Sequence, residues 1–172
     1  MSRVQLALNV NDIDEAVSFY TALFGTEPAK RRPGYANFAI TEPPLKLVLL
    51  ENPGQGGTLN HLGVEVPDAD AVDAEQARLA AAGLAAVDEW DTTCCYARQD
   101  KFWVTGAPGG ERWEIYTVLA DSATFWGPGD EQRSDAVQAE LDGTPAGQAT
   151  QCCGGPQAAS GTADEAAGVC CG

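Results

Sequence analysis

Basic residues and long apolar runs are scarce in this chain of 172 residues. Lys and Arg number 10 against 25 Asp and Glu, which gives a formal net charge of -15. So acidic a chain repels nucleic acid and anionic membranes, and we expect neither as a partner. No run approaches the roughly 18 apolar residues that span a bilayer. The first ten residues alternate like a strand and do not resemble a signal peptide. We therefore expect a soluble cytoplasmic protein.

Histidine and spaced cysteine motifs are also lacking. The chain has a single His, at position 61. This excludes a zinc site built on two His residues of one chain, and any catalytic triad would have to use His61. No pair of cysteines has the CxxC spacing of a zinc ribbon or a thioredoxin.

The six cysteines form three adjacent pairs, namely Cys94-Cys95, Cys152-Cys153 and Cys170-Cys171. Adjacent Cα atoms lie about 3.8 Å apart, which is less than the roughly 4.4–6.8 Å of a relaxed disulfide. Each pair is therefore predicted to remain a dithiol that favours soft ions. The polar surroundings of the first pair argue against its burial, and we expect an open or poorly ordered loop over residues 91–100. Small buried cysteines without chemistry are the alternative.

The composition changes sharply near Gly127. Residues 127–172 contain no aromatic residue, and nine Gly and nine Ala make up 18 of these 46 positions. Such a segment buries too little apolar surface to offset its ordering entropy. We predict a folded domain over residues 1–126 and a disordered acidic tail over 127–172, with a short helix possible around Asp135 to Leu141. Its cysteines, Cys152, Cys153, Cys170 and Cys171, are either metal scavengers or passive.

Within residues 1–126 a weak internal repeat relates two modules, at about 1–55 and 58–120. The run from Val4 aligns with the run from Asn60 at an offset of 56, which places Gln5 on His61. Each copy opens with an alternating strand and continues into a helix with an acidic start, at Asp12 and at Asp68. Strand-like runs follow each helix, at 35–40 and 45–51, then at 91–96, 101–105 and 112–118. Two such modules predict an α+β fold.

The repeat also predicts a metal site. If the modules pack with pseudo-twofold symmetry, Gln5 and His61 approach each other across a cleft. Glu114 is the best third ligand, because an acid between Trp113 and Ile115 on a strand needs a partner. The equivalent position of the first module lies near Val48 and is apolar, so one site per chain is expected.

Each of these residues also has a simpler interpretation. His61 could be a satisfied core histidine, Glu114 an ion-pair partner of Lys101 or Arg112, and Gln5 a solvent-facing side chain. Tyr96, Lys101 and Trp103 could line or cover the site, although core packing explains Trp103 equally well.

The repeat, with HLGVEV and ERWEIYTV, resembles the vicinal oxygen chelate superfamily of glyoxalases, extradiol dioxygenases and bleomycin-resistance proteins. The resemblance covers roughly residues 3–120. It implies two tandem βαβββ modules that form a cupped mixed sheet around a divalent metal, with Gln5, His61 and Glu114 at the ligand positions. One departure is the turn before the last strand, which is here a Gly-rich segment at 106–110.

The run DTTCCYARQDKFWV, at residues 91–104, looks like the organoarsenical C–As lyase branch, a group sometimes labelled cadmium-induced protein. This resemblance implies an Fe(II)- and dioxygen-dependent enzyme that cleaves trivalent methylarsenite and aromatic arsenicals to arsenite. Gln5, His61 and Glu114 would be the catalytic metal ligands, with Ni, Co or Zn as substitutes. Cys94 and Cys95, aided by Tyr96 and Lys101, would bind the substrate. A monomer and a homodimer are both compatible with the superfamily.

Two other functions stay open at this stage. The chain could be a non-catalytic thiol protein that sequesters arsenite or cadmium. It could also be a glyoxalase-type lyase or an extradiol dioxygenase that acts on a carbon substrate. The adjacent thiols argue against the carbon substrate, which has no need of them.

Overall fold

Eight strands form one sheet, with three helices packed around it, in the part of the chain that the computed structural model describes, residues 2–84 and 86–141. In chain order the elements are β1 (Arg3–Val10), α1 (Ile13–Phe24), β2 (Lys30–Arg32), β3 (Tyr35–Ile40), β4 (Leu45–Glu51), β5 (Leu59–Glu65), α2 (Ala69–Ala81), β6 (Ala86–Cys94), β7 (Ala97–Val104), β8 (Trp113–Asp121) and α3 (Asp130–Leu141). The predicted α+β fold with a repeated strand–helix–meander order is confirmed.

The order of the strands in the sheet shows the predicted symmetry directly. The order is β2-β3-β4-β1-β5-β8-β7-β6, so β1 and β5 are central neighbours and each module extends outward from them. β1 is antiparallel to β5, whereas β4 is parallel to β1 and β8 is parallel to β5. The first and last strands of each module are therefore the ones that meet near the pseudo-twofold axis.

Local sequence signals explain both helices of the repeat. Asp12 is in an extended conformation and accepts hydrogen bonds of 2.9 Å from the backbone N–H groups of Asp14 and Glu15, which caps α1. Gly25 ends this helix with φ of 62°, a left-handed conformation that glycine adopts without a steric penalty. The second helix begins in the same way, since Asp68 accepts a hydrogen bond from the Ala71 N–H.

The two faces of β1 carry different side chains, and this separation positions the site. Leu6, Leu8 and Val10 pack against the buried Ile13 and Val17 of α1. The alternate residues Gln5, Ala7 and Asn9 are buried on the opposite face. The helices thus cover the apolar face, and the other face is left for polar groups.

The folded part extends beyond the predicted boundary at Trp126. Helix α3 lies within the segment that was expected to be disordered from residue 127, and it packs against β6. Asp130 holds it there, because its Oδ2 accepts a hydrogen bond of 2.8 Å from the Thr93 N–H. Only a short helix around Asp135 to Leu141 was predicted as possible, because the polar sequence of α3 carries no apolar stripe that would reveal its full length. The remainder of the predicted tail, with its four cysteines, lies outside the described residues.

No helix within the described residues is long and apolar enough to cross a membrane.

Candidate functional site

Three polar side chains from three neighbouring strands meet on the face of the sheet opposite the helices. They are Gln5 on β1, His61 on β5 and Glu114 on β8, and all three are buried. Gln5 Nε2 lies 3.0 Å from His61 Nε2 and 2.6 Å from Glu114 Oε1, and His61 Nε2 lies 3.3 Å from the same carboxylate oxygen. The structure therefore brings together the three residues that the repeat predicted.

Small residues in register with these side chains make room for them. Gln5 and Glu114 both pair with Gly63 of β5, and His61 pairs with Ala7 of β1. A Cβ atom on Gly63 would lie 3.0 Å from Glu114 Cγ and 3.3 Å from Gln5 Nε2, so any other residue would push the two side chains apart. Sequence reasoning missed Gly63, because only the pairing of three strands reveals its neighbours.

The equivalent position of the first module is apolar, as expected. Ala7 pairs with Val48 in the parallel β1–β4 ladder, just as Gly63 pairs with Glu114 in the parallel β5–β8 ladder. Val48 is a buried member of an apolar cluster. Its position therefore lacks the carboxylate that Glu114 contributes in the second module.

Hydrogen bonds determine which nitrogen of His61 faces the site. His61 Nδ1 lies 2.7 Å from Asn60 Oδ1, and the Asn60 amide is oriented by its own donation to Asn9 Oδ1 at 2.9 Å. Asn52 donates to the same Asn9 oxygen at 2.7 Å. Nδ1 therefore carries the proton and Nε2 presents a lone pair to Gln5 and Glu114, which is the arrangement of a metal-binding histidine.

Glu114 is ionised in spite of its burial. Burial opposes the charge of its carboxyl, but the Lys101 ammonium, together with the hydrogen bond from Gln5, outweighs burial and keeps the pKa of Glu114 below its usual value. Lys101 Nζ lies 3.3 Å from Glu114 Oε2, which leaves Oε1 facing Gln5 and His61. The ion pair with Lys101 that the sequence offered as an alternative role is thus present, and it occupies the other oxygen.

The Gln5 amide acts as a donor in this arrangement. Its Nε2 donates to both Glu114 and His61, while its Oε1 accepts a hydrogen bond of 2.5 Å from the Tyr116 hydroxyl. That hydroxyl has one proton and a second acceptor, Glu65 Oε2, at 3.1 Å. Rotating the amide by 180° would let Tyr116 accept from Nε2 and donate to Glu65, so both of its contacts would be satisfied.

The rotated amide would turn three acceptor atoms toward one point. Gln5 Oε1, His61 Nε2 and Glu114 Oε1 would then face one another as three acceptors, and only a cation satisfies them together. Ligand atoms with bonds of about 2.0–2.2 Å to a common ion lie about 3 Å apart when perpendicular, and the separations here are similar. These residues therefore fit a divalent metal. In the described residues no group of three or more His, Cys, Asp or Glu side chains is arranged to hold a metal ion, and this cluster contains only two residues of those types, His61 and Glu114.

The thiol pair lies in a tight hairpin turn and not in the expected open loop. β6 ends at Cys94, β7 begins at Ala97, and the connecting Cys95 and Tyr96 have φ of 59° and 61°. Two consecutive residues with positive φ are typical of the type I′ turn, which matches the twist of the flanking strands. The expectation of a poorly ordered segment was wrong, because β6 and β7 stay paired up to the turn, where Cys94 lies opposite Ala97.

This turn brings the two sulfurs together. Successive side chains of an extended strand point to opposite faces, but the left-handed conformation of Cys95 leaves its Sγ 2.8 Å from that of Cys94. Both cysteines are free thiols. Cys94 is buried, contrary to expectation. The pKa of its thiol lies well above the usual value because of its hydrogen bond with Cys95 and its burial.

The thiols and the polar triad share one cavity of about 300 Å³. Lys101 also lines it, and the pKa of its ammonium lies well above the usual value because the attraction of the Glu114 carboxylate outweighs burial. Tyr96 is not among the lining residues of the described chain. It packs behind the wall, with ring centroids 5.4 Å from Tyr35 and 5.5 Å from Phe125. Tyr35 and Phe125, which do line the cavity, are the apolar wall that sequence reasoning missed.

Comparison with known proteins places these features in a family. A family model described as the glyoxalase/bleomycin resistance protein/dioxygenase superfamily matches residues 3–115. The cadmium-induced protein CadI of Mycobacterium tuberculosis H37Rv is 64% identical over 156 residues, which cover 90% of this chain and 95% of that protein. The trivalent organoarsenical cleaving enzyme of Thermomonospora curvata is 62% identical over 126 residues, which cover 73% of this chain and 83% of that enzyme.

Solved structures share the fold at low sequence identity. The Mn(II)-bound glyoxalase from Novosphingobium aromaticivorans aligns with a TM-score of 0.51 and 22% identity, over 72% of this chain and 42% of that one. At this identity the likeness is one of fold.

Proposed function

The chain belongs to the glyoxalase/bleomycin resistance protein/dioxygenase superfamily, and we propose that it cleaves the carbon–arsenic bond of trivalent organoarsenicals in an Fe(II)- and dioxygen-dependent reaction that leaves arsenite. One observation carries this proposal: two adjacent thiols open into the same cavity as a buried Gln–His–Glu cluster. The close similarity to an enzyme named for cleaving trivalent organoarsenicals supports the choice of substrate.

The first task of the site is to capture arsenic. A trivalent arsenical with one organic group carries two exchangeable hydroxyl groups, and each is replaced by a cysteine sulfur with release of one water. The Cys94 and Cys95 sulfurs lie 2.8 Å apart, so a small separation of the two would let both bind a single soft atom. A carbon substrate would leave this pair without a role.

The second task is to direct the organic group. With both sulfurs on arsenic, the third substituent is the only one left to enter the cavity. Tyr35 and Phe125 provide an apolar wall beside the thiols, and their ring centroids lie 6.4 Å apart. The wall excludes water from the substituent, while His61 and Glu114 lie in the same cavity.

The third task is to hold the metal. Gln5 Oε1, His61 Nε2 and Glu114 Oε1 are the atoms that would bind Fe(II), as one amide, one imidazole and one carboxylate. Bound Fe(II) supplies the chemistry with dioxygen that the side chains lack. Lys101 binds the other oxygen of Glu114, so that Oε1 is the one left for the metal.

An assay that separates capture from cleavage tests the proposal. Protein loaded anaerobically with Fe(II) is mixed with methylarsenite or phenylarsenite, air is admitted, and the arsenic species are quantified. We expect arsenite as the product. The variant His61→Ala should still capture the arsenical through its thiols but should release no arsenite.

The thiol variants complete the test. Replacing both Cys94 and Cys95 by Ser should abolish capture and cleavage together, whereas the matched double replacement of Cys152 and Cys153 should leave cleavage intact. Stoichiometric binding of arsenic without arsenite, in wild-type protein that contains Fe(II), would instead favour a sequestration protein.

A further inference from the structure

Glu89 on β6 is an almost completely buried carboxylate, with 1% of its surface exposed. It lies opposite Lys101 in the β6–β7 ladder. A single oxygen, Oε2, is 3.1 Å from Lys101 Nζ and accepts a hydrogen bond of 2.9 Å from Trp103 Nε1. Its other oxygen, Oε1, is buried without a hydrogen-bond partner among the described residues. A carboxylate so incompletely satisfied is unfavourable for stability alone, and this suggests that it serves the site.

The two groups that Glu89 holds both touch the residues of the proposed metal site. Lys101 continues from Glu89 to Glu114 Oε2, at 3.3 Å. The Trp103 ring lies edge-on to the His61 imidazole, with centroids 5.5 Å apart, and the Lys101 ammonium lies 4.9 Å from the centre of the same ring. Glu89 is thus one contact removed from both His61 and Glu114.

The charges of this group explain why a second carboxylate is needed. Lys101 lies between Glu89 and Glu114, so one ammonium is shared by two carboxylates and the three groups carry a net charge of about −1. Without Glu89, the ammonium would neutralise Glu114 alone and would draw it away from Gln5 and His61. Glu114 would then attract a cation less strongly.

We propose that Glu89 is a positioning residue for the metal site, which shares Lys101 with Glu114 and thereby keeps the negative charge of Glu114 available to a divalent cation. The inference rests on the metal site of the proposed function. Residues that contact the metal ligands but do not bind the metal typically lower metal affinity by about 10–100-fold when they are replaced. We expect an effect of that order here.

Titration of metal-free protein with Co(II), followed by absorption spectroscopy, measures the effect without any turnover. Glu89→Gln keeps an oxygen that can accept from Trp103 but removes the charge, so Co(II) affinity should fall by about 10–100-fold. Asp88→Asn is the control, since it removes an exposed carboxylate of the same strand that accepts a hydrogen bond from Gln76 of α2, and its Co(II) affinity should stay near that of the wild type.

A double variant distinguishes the charge effect from a loss of structure. Replacing Lys101 by Gln in the Glu89→Gln protein removes the ammonium that neutralises Glu114, so Co(II) affinity should recover toward that of the wild type. A purely structural role for Glu89 predicts the opposite, because two changes in a buried cluster disrupt packing more than one. The Trp103 indole N–H signal in a nitrogen–proton correlation spectrum, assigned with Trp103→Phe, should persist in Glu89→Gln and report an intact cluster.

Three outcomes would overturn the inference. Equal Co(II) affinity of the wild type and a folded Glu89→Gln protein would exclude a role for Glu89 and leave the proposed function untouched. A double variant that binds Co(II) more weakly than the single variant would reduce Glu89 to a packing residue. Failure of the wild type itself to bind Co(II) would overturn the metal site of the proposed function together with this inference.

Discussion

Replacing Gly63 by Ala tests the geometry of the site with a single methyl group. The Cβ would lie 3.0 Å from Glu114 Cγ, 3.3 Å from Gln5 Nε2 and 3.4 Å from Gln5 Cβ. Ordinary contacts between carbon atoms are about 3.5–4.0 Å, so Glu114 must retreat by about half an ångström. That displacement equals the tolerance of about 0.5 Å within which a functional constellation keeps its activity.

The expected effects on binding and on stability are of similar size. Crowding a packed site costs about 1–3 kcal/mol, and the gain from replacing Gly by Ala in a permitted conformation is about 0.4–1 kcal/mol. We therefore expect a loss of about 0.5–2 kcal/mol in the free energy of unfolding. Metal affinity and the rate of cleavage should each fall by at least about tenfold, since a misplacement of about 1 Å can cost a hundredfold in rate.

The measurements are urea unfolding of metal-free protein, Co(II) titration, and arsenite release from Fe(II)-loaded protein. Gly109→Ala is the control, because its Cβ would meet only the side chain of Glu111, whose end can move aside. A Gly63→Ala protein with wild-type metal affinity and wild-type cleavage would refute the claim that the Gln5–Glu114 separation is held by Gly63.

Two further predictions concern the thiol pair. Because the pKa of Cys94 is raised, thiolate formation should limit arsenic capture, and the rate of capture by metal-free protein should rise about tenfold per pH unit between pH 6 and 8. Stopped-flow measurement checks this, and a capture rate independent of pH would contradict it. A chain shortened after Leu141 should capture arsenic at the rate of the full chain. A chain shortened after Trp126 should fold, but its melting temperature and its rate of arsenic capture should be lower, since it loses the Asp130–Thr93 hydrogen bond beside Cys94. Differential scanning calorimetry and the same capture assay check this, and equal melting temperatures and capture rates of the two shortened chains would deny α3 any part in holding the hairpin.

The elements of the fold were predictable because their signals are local. Asp12 and Asp68 cap helices through atoms only two or three residues away, and the apolar stripe after Asp12 needs no knowledge of tertiary structure. The bounds predicted for β3 and β4 agree with the structure, because turn residues flank both strands. Helix α3 carries no comparable stripe, and its packing against β6 depends on contacts between segments far apart in the chain.

The internal repeat determined more than the fold. By aligning Gln5 with His61 it placed both residues on strands related by the pseudo-twofold axis, and the apolar flanks of Glu114 identified a third buried polar group. The alternation of side chains along each strand then places each of the three on the face opposite its immediate neighbours. The residues that could meet are therefore readable from the amino-acid sequence, since periodicity and repetition indicate the strand that carries each of them.

How those residues meet, and which side chains support them, depends on the packing of the whole fold. The positive φ of Cys95 brings two sulfurs to one side, although an extended strand would separate them. Strand register determines that Gly63 pairs with Gln5 and Glu114, and that Lys101 contacts Glu89 as well as Glu114. Turn conformation determines that Tyr96 packs behind Tyr35 and Phe125 and does not line the cavity. Register and turn geometry are set by the simultaneous packing of distant segments, and for that reason no local pattern in the sequence contains them.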